Sequence, residues 1–275
     1  MSKEVKATAA NHKSTAGFSA FLAAISIVIA LLIGIVVYKF IFGNPANFVD
    51  NDPEGHPIKG NFLGIIYKGG FIVPILLAVN FIVIIFTIER FLTLAKIKGA
   101  GKLDVFIEKV KSLLAQGNVD GAIAECDKQK GSLANVVRSG LMKYKTLQDD
   151  PAISKEKKIE FVKQEIEEAI SLEGPMMSKN LVIISTVAST STLIGLIGTV
   201  LGMIRAFGAL SAGAPDTAAL ATGISEALIN TAFGITGSTL AIIFYSMFTT
   251  KVDQMTHAMD EAGVAIVQDF SNTVK

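Results

Sequence analysis

One carboxylate lies inside a long apolar stretch of this 275-residue chain. Glu226 falls about nine residues, or ~13 Å of helix, into the stretch that begins near Ala218, and every residue from Ala227 to Thr250 is uncharged. A carboxylate at such a position costs about 2.5–3.5 kcal/mol on insertion scales, so it is a candidate for ion chemistry by default. Arg205, near the end of the preceding apolar stretch, is the candidate partner for a structural ion pair. Both interpretations of Glu226 remain open.

Small and hydroxyl-bearing residues concentrate in the same two stretches. Three glycines are spaced three and four residues apart, which places them on one helix face: Gly195, Gly198 and Gly202. Missing side chains on one face let another helix approach closely. A second line carries hydroxyls every seven residues: Ser185, Thr192 and Thr199. The last stretch repeats the theme with Asn230, Thr231, Gly234 and Gly237. We expect the glycines to pack helices, and the hydroxyls either to pack them or to line a polar pathway.

The amino-acid composition indicates a protein that is embedded in a lipid bilayer. Hydrophobic residues make up 51% and charged residues only 18%, with a mean hydropathy of +0.51, whereas ordinary soluble domains carry about 25% charged residues. The net charge of +1 gives no basic excess for binding nucleic acid. The single cysteine, Cys126, excludes an internal disulfide and a thiolate metal cluster. We predict neither a metal site nor a cofactor.

Four apolar stretches are long enough to cross a bilayer, which takes about 20 residues of helix. The first is too long for the apolar core of a signal peptide and lacks a small-residue cleavage site, so we expect it to be retained. The sequence thus predicts an all-α integral membrane protein with four transmembrane helices. The predicted segments are 1–16, helix 17–42, connector 43–68, helix 69–89, helical domain 90–180, helix 181–208, loop 209–217, helix 218–250 and C-terminal helix 251–275.

Lysine and arginine counts predict the orientation. The segment between the second and third stretches holds sixteen of them, the N-terminal segment three, and the loop 209–217 none. Because positive charge favours the cytoplasmic side, we expect both chain ends, segment 90–180 and the C-terminal helix in the cytoplasm, and the connector 43–68 in the periplasm. Apolar residues at helical spacing predict that segment 90–180 is a helical bundle, and Gly174-Pro175 predicts an interruption in its last helix.

Motifs for catalysis are missing from the sequence. It has no glycine-rich phosphate loop with its lysine, no His-Glu-x-x-His and no Gly-x-Ser-x-Gly. The three histidines, His12, His56 and His257, lie outside the apolar stretches and cannot form a relay within the membrane. We therefore predict that the chain is not an enzyme.

Two motifs on adjacent spans resemble those of the ExbB/TolQ/MotA proton-channel family. The first is GLIGTVLGM from Gly195 to Met203, and the second is GISEALINT from Gly223 to Thr231. A glutamate followed by threonine five residues later is closer to ExbB and TolQ than to MotA. The resemblance covers the chain from about Gly69 onward, so the first span is an addition to the family's three-span plan.

The resemblance implies a homo-pentameric ring in the bacterial inner membrane. Its central channel would hold a single-span partner of the ExbD or TolR kind, whose aspartate carries the proton. Thr199 and Thr231 match the family's channel-lining threonines and Glu226 its motif glutamate, while Ser185, Thr192 and Asn230 are further candidates for the lining. We expect the additional first span to pack on the lipid-facing outside of the ring.

The preferred functional interpretation is an ExbB-type subunit of a motor that is driven by the proton motive force and energises a TonB-like protein for outer-membrane transport. The alternative within the family is a TolQ-type subunit that acts through a TolA-like protein in envelope maintenance, and a MotA-like stator fits less well because of Glu226. From a different class, a structural membrane scaffold would use the small residues for packing alone. The sequence does not separate the ExbB role from the TolQ role.

Overall fold

The computed structural model describes residues 24–148, 150–211 and 216–273. The predicted N-terminal segment 1–16, the start of the first predicted span and residues 212–215 of the loop 209–217 therefore lie outside the described residues. Within the described part the chain is helical, with a single isolated β-bridge between Phe48 and Pro57 and no strand.

The helices follow the chain in order, joined by short turns and by one longer connector. They are α1 (Ala24–Phe42), α2 (Phe62–Tyr67), α3 (Val73–Lys98), α4 (Leu103–Ala115), α5 (Val119–Gln129), α6 (Gly131–Gln148), α7 (Lys155–Ser178), α8 (Leu181–Ser211) and α9 (Thr217–Thr273). The last six residues of α1, Val37–Phe42, are wound as a π-helix.

The prediction of four apolar helices long enough to cross a membrane is confirmed, since α1, α3, α8 and α9 each meet that criterion. Three of them continue beyond the predicted spans, α8 only by the three residues up to Ser211. α3 extends through Glu89-Arg90 to Lys98, and α9 is a single helix of 57 residues. The predicted last span and the predicted C-terminal helix are thus one element, because no proline or loop separates them.

The predicted interruption at Gly174-Pro175 is wrong. α7 passes through Pro175 and ends at Ser178. A proline removes one backbone donor, and here it does so in the last turn, where few further hydrogen bonds depend on it. The Ser178 hydroxyl donates to the carbonyl oxygen of Gly174 at 3.2 Å. The break comes instead at Asn180, whose φ of 61° ends the helical path.

The described residues form two compact units. The first unit comprises the residues up to Thr87 together with Ile183–Phe244, and the second comprises Ile88–Val182 with the chain from Tyr245 onward. The second unit has a closed apolar core to which α4, α5, α6, α7 and the end of α9 contribute, with Val137, Leu141, Ile166, Met259 and Ile266 fully or almost fully buried. The lone cysteine, Cys126, lies in this core, and burial raises the pKa of its thiol to about 12.

Candidate functional site

α8 and α9 touch backbone to backbone in the first unit. A Cβ atom added at Gly195 would lie 2.9 Å from the carbonyl oxygen of Asn230 and 3.0 Å from the Cα of Gly234. One added at Gly202 would lie 2.7 Å from the backbone nitrogen of Ala227. Side chains at these positions would force the helices apart. The structure therefore brings the predicted glycines of α8 against the small residues of α9.

Gly198 and Gly237 make room for polar side chains. A Cβ at Gly198 would meet the Cβ and amide of Asn230, and one at Gly237 would meet the Ser191 hydroxyl and the Asn80 amide. The Ser191 hydroxyl donates to the Gly234 carbonyl oxygen at 2.9 Å, and Asn80 on α3 donates to the Leu76 carbonyl oxygen at 2.8 Å. Ser191 and Asn80 were not among the predicted site residues, although both are polar positions within apolar stretches.

The close contact of α8 and α9 gives a prediction with opposite signs at two glycines of one helix. We expect Gly195→Ala to lower the unfolding free energy by about 1–3 kcal/mol, because overpacking shifts the backbone. Gly208→Ala is the control, since a Cβ there would have no described atom within 4 Å. It should raise stability by about 0.5–1 kcal/mol through the reduced flexibility of alanine. Thermal unfolding of the two purified proteins in mild detergent measures both effects, and shifts of the same sign would contradict the packing argument.

Thr199 of α8 and Thr231 of α9 are hydrogen-bonded to each other through their hydroxyls. Each hydroxyl also reaches the carbonyl oxygen of the residue four positions before it: Thr199 that of Gly195 and Thr231 that of Ala227, both at 3.1 Å. Both threonines are half-buried in the chain. Since a hydroxyl has one proton and two lone pairs, the pair can accept a hydrogen bond from a group outside the chain while keeping its own.

The other predicted hydroxyls lie away from this pair. Ser185 and Thr192 are half-buried residues of α8. Steps of seven residues place Thr192 about 10 Å and Ser185 about 21 Å from Thr199 along the helix axis. They extend the same line without contacting the threonine pair.

Glu226 and Arg205 form an ion pair. The Arg205 Nη1 atom lies 2.5 Å from Oε1 and 2.6 Å from Oε2 of Glu226. The Glu226 side chain is only 4% exposed, whereas that of Arg205 is 51% exposed. The guanidinium also lies over the Phe71 ring, 5.8 Å from its centroid. The carboxylate is thus buried and neutralised, and the cation that neutralises it has one side open.

The other carboxylate in the apolar segments of these four helices is also paired. Between Ala24 and Phe42, in α3, in α8 and from Thr217 to Thr250, the acidic residues are Glu89 and Glu226 alone. Glu89 lies 2.6 Å from the buried Arg90 and accepts a hydrogen bond from Asn180 at 3.3 Å. Among the described residues, no group of three His, Cys, Asp or Glu side chains could hold a metal ion. Within these segments the described residues therefore present hydroxyls and amides, but no unpaired acid.

The backbone at the start of α3 completes the surroundings of Glu226. Asn230 is fully buried, and its amide donates to the carbonyl oxygen of Gly69 at 3.0 Å, while its Oδ1 atom has no hydrogen-bond partner in the described structure. A Cβ added at Gly70 would collide with the Glu226 carboxylate and lie 3.3 Å from the Arg205 Nη1 atom. Gly69 and Gly70 were not predicted as site residues. The Gly-Gly pair signals a turn, but nothing in it signals a contact with residues more than 150 positions away.

Comparison with known proteins supplies an independent line of observation. The model of the MotA/TolQ/ExbB proton channel family matches residues 128–261. A Tol-Pal system protein TolQ from Pseudomonas aeruginosa is 33% identical over 44% of this chain and 52% of its own length. A biopolymer transport protein ExbB from Pseudomonas putida is 32% identical over 32% of this chain and 27% of its own.

A longer match is to a protein of Methanothermobacter thermautotrophicus. This putative biopolymer transport protein ExbB homolog is 26% identical over 70% of this chain and 65% of its own length. The chain thus spans less than two thirds of each of these relatives. Both motifs of the α8–α9 pair fall within the residues that the family model matches.

Proposed function

We propose that this chain, which belongs to the MotA/TolQ/ExbB proton channel family, is an ExbB-type subunit of a motor in the bacterial inner membrane. In this proposal five copies surround an ExbD-like single-span partner, and proton flow through the assembly energises a TonB-like protein for outer-membrane transport. Both chain ends and the second unit lie in the cytoplasm, as the distribution of lysine and arginine predicts.

One observation carries the proposal: among the described residues, the apolar segments of α1, α3, α8 and α9 offer a half-buried pair of hydroxyls but no unpaired carboxylate. Thr199 and Thr231 can accept a hydrogen bond from a protonated visiting acid while keeping their own bonds, and they can donate to its carboxylate form by giving up a bond to a backbone carbonyl. Glu226 is held by Arg205. The chain therefore supplies the polar lining, and a partner must bring the group that carries the proton.

The membrane potential sets the energy scale. Moving one elementary charge through 100 mV releases ~2.3 kcal/mol. Several protons per step could therefore drive mechanical work on a protein that reaches the outer membrane. A lining of hydroxyls suits this task, because neutral groups solvate a moving carboxyl without trapping it by fixed charge.

The TolQ role is the second candidate, and relatives with that name support it as directly as those named ExbB do. The two roles share the chemistry of the α8–α9 pair. They differ in the consequence of deleting the gene in the source organism. Loss of energy-dependent uptake of large solutes would favour the ExbB role, and detergent sensitivity with a leaking envelope would favour the TolQ role.

Proton flux in reconstituted vesicles tests the division of labour between chain and partner. We expect the chain alone to leave the internal pH of proteoliposomes unchanged under an imposed potential. The complex with its single-span partner should acidify or alkalinise the lumen according to the sign of the potential. The matched control is the same complex with the partner's intramembrane aspartate replaced by asparagine, which should be silent. Proton flux through the chain alone would overturn the proposal.

A further inference from the structure

The connector between α1 and α3 is folded, although it is not part of the family's common three-span plan. Asn47 is buried at its centre, and its amide donates to the carbonyl oxygens of Ile41 at 2.8 Å and Phe42 at 3.0 Å. Its side-chain oxygen accepts from the Asn61 amide at 3.1 Å. The end of α1 and the segment that precedes α2 are thereby joined through one side chain.

α1 also packs closely on α3. A Cβ added at Gly34 would lie 2.7 Å from the carbonyl oxygen of Pro74 and 3.1 Å from the backbone nitrogen of Ala78. Such an approach requires glycine at this position. α1, the connector and the start of α3 thus form one continuous packing arrangement within the first unit.

Tyr67, the last residue of α2, links this packing arrangement to the residues that precede α3. Its ring stacks on that of Tyr38 with centroids 4.7 Å apart, and the ring of Phe48 meets it edge-on at 5.5 Å. The Tyr67 carbonyl oxygen accepts the hydroxyl of Tyr38 at 2.9 Å and the backbone N–H of Gly70 at 3.3 Å. The Tyr67 carbonyl oxygen therefore links α1 to the Gly69–Gly70 turn through two hydrogen bonds.

The Gly69–Gly70 turn faces the ion pair on its other side. Gly70 has a φ of +80°, a conformation that favours glycine. The space where its side chain would be is occupied by the Glu226 carboxylate. The preceding Gly69 carbonyl accepts the buried amide of Asn230, one helical turn along α9 from Glu226. The turn thus bounds the carboxylate sterically and fixes the helix that bears it.

We infer that the Gly69–Gly70 turn positions Glu226 on Arg205, and that the additional N-terminal helix and the connector hold that turn in place. Gly70 and Asn230 are positioning residues, and the additional span has a structural task at the ion pair rather than serving only as a lipid-facing addition. The inference goes beyond the proposed function and does not depend on it, because the ion pair and the turn belong to this chain alone.

Two glycines with the same backbone conformation provide a matched test. Gly70 and Gly60 have φ values of +80° and +83°, but a Cβ at Gly60 would meet nothing within 4 Å. Alanine therefore introduces the same backbone strain at both positions and a collision with Glu226 only at Gly70. Dicyclohexylcarbodiimide, which modifies accessible protonated carboxyls in apolar surroundings, reports on the pairing of Glu226 in the full chain, and mass spectrometry locates the adduct.

We expect Gly70→Ala to raise the labelling of Glu226 by roughly fivefold or more, the population change that ~1 kcal/mol in the pairing equilibrium gives. Gly60→Ala should match the unmodified protein, and Arg205→Leu should set the upper limit. Glu89, paired with Arg90 in the second unit, is the internal reference and should not change. Equal labelling of Glu226 in the two alanine variants would overturn the positioning role of the turn. The readout requires neither a partner nor proton flow, so its failure is distinct from failure of the proposed function.

A second pair of variants tests whether α1 holds the Gly69–Gly70 turn in place. This pair also tests the inference if Gly70→Ala does not fold. Tyr38→Phe removes only the hydroxyl that donates to the Tyr67 carbonyl oxygen. The control is Tyr67→Phe, because the Tyr67 hydroxyl makes none of the bonds described above. We expect Glu226 to be labelled more in Tyr38→Phe than in Tyr67→Phe. Equal labelling in this pair would overturn the role of the additional helix, even where the glycine pair behaves as expected.

Discussion

Replacing Arg205 with leucine is expected to lower stability more than replacing Arg205 and Glu226 together. The Glu226 side chain is 4% exposed and both of its oxygens contact the Arg205 Nη1 atom. Removal of one partner of a buried pair leaves an uncompensated charge, which costs roughly 3–5 kcal/mol. Because half of the Arg205 side chain is exposed, water already screens the pair, and we expect the lower end of that range.

The double variant removes the charge along with its partner. Apolar residues of similar size in place of a buried ion pair are often neutral or stabilising, so Arg205→Leu/Glu226→Leu should recover most of the lost stability. Thermal unfolding in mild detergent of the single variants, the double variant and the unmodified protein completes the cycle. Additive losses would show that the two side chains do not interact and would refute the pair.

The same cycle separates two roles of Glu226. If the carboxylate acts only through the ion pair, the double variant keeps proton-driven activity in the complex. If Glu226 also takes part in the polar lining, activity is lost although stability returns. We expect the first result, because the Glu226 side chain is only 4% exposed and both of its oxygens contact the Arg205 Nη1 atom.

The four membrane helices could be predicted from the sequence, because the length and the apolar character of a helix are local properties. α1, α3, α8 and α9 could each be recognised from a stretch of about 20 residues. The glycine spacing in α8 likewise predicted a face for close packing, and Arg205 could be proposed as the partner of Glu226. Each of these inferences needs only residues within one helix, or two helices joined by a short loop.

The contacts that the sequence did not reveal join distant parts of the chain. Asn230 and Gly69 are 161 residues apart, and no local pattern states that the amide of one meets the carbonyl of the other. Gly70 reads as an ordinary turn residue until the Glu226 carboxylate is found in the space of its missing side chain. Tertiary packing decides such contacts.

A local sequence signal gave a wrong prediction where packing in the core stabilises a helix. Pro175 is a helix breaker by intrinsic propensity, yet α7 continues to Ser178. Met177, in the turn after the proline, is buried in the core of the second unit, and burial there favours the helical path over an early end.

Removal of the hydroxyls at Thr199 and Thr231 should abolish most proton-driven activity without unfolding the protein. Valine has nearly the shape of threonine, so Thr199→Val and Thr231→Val keep the packing of α8 on α9 while deleting the hydroxyl pair. A visiting carboxyl that loses one hydrogen bond in a buried site is destabilised by about 1–3 kcal/mol. We therefore expect each variant to lower the proton flux roughly 5- to 150-fold, measured in proteoliposomes that contain the complex.

Controls on the same helices distinguish a lining role from a general need for hydroxyls. Thr236 on α9 donates to the carbonyl oxygen of Ala232 at 2.8 Å, the same type of bond that Thr231 makes to Ala227, but it has no threonine partner on α8 in the described structure. Thr236→Val should leave the flux unchanged. Thr199→Ser and Thr231→Ser keep the hydroxyl and should retain most of the flux, since only a methyl group is lost. If the valine and serine variants were equally impaired, shape and not hydrogen bonding would govern the site, and the threonine pair would be a packing feature of α8 and α9.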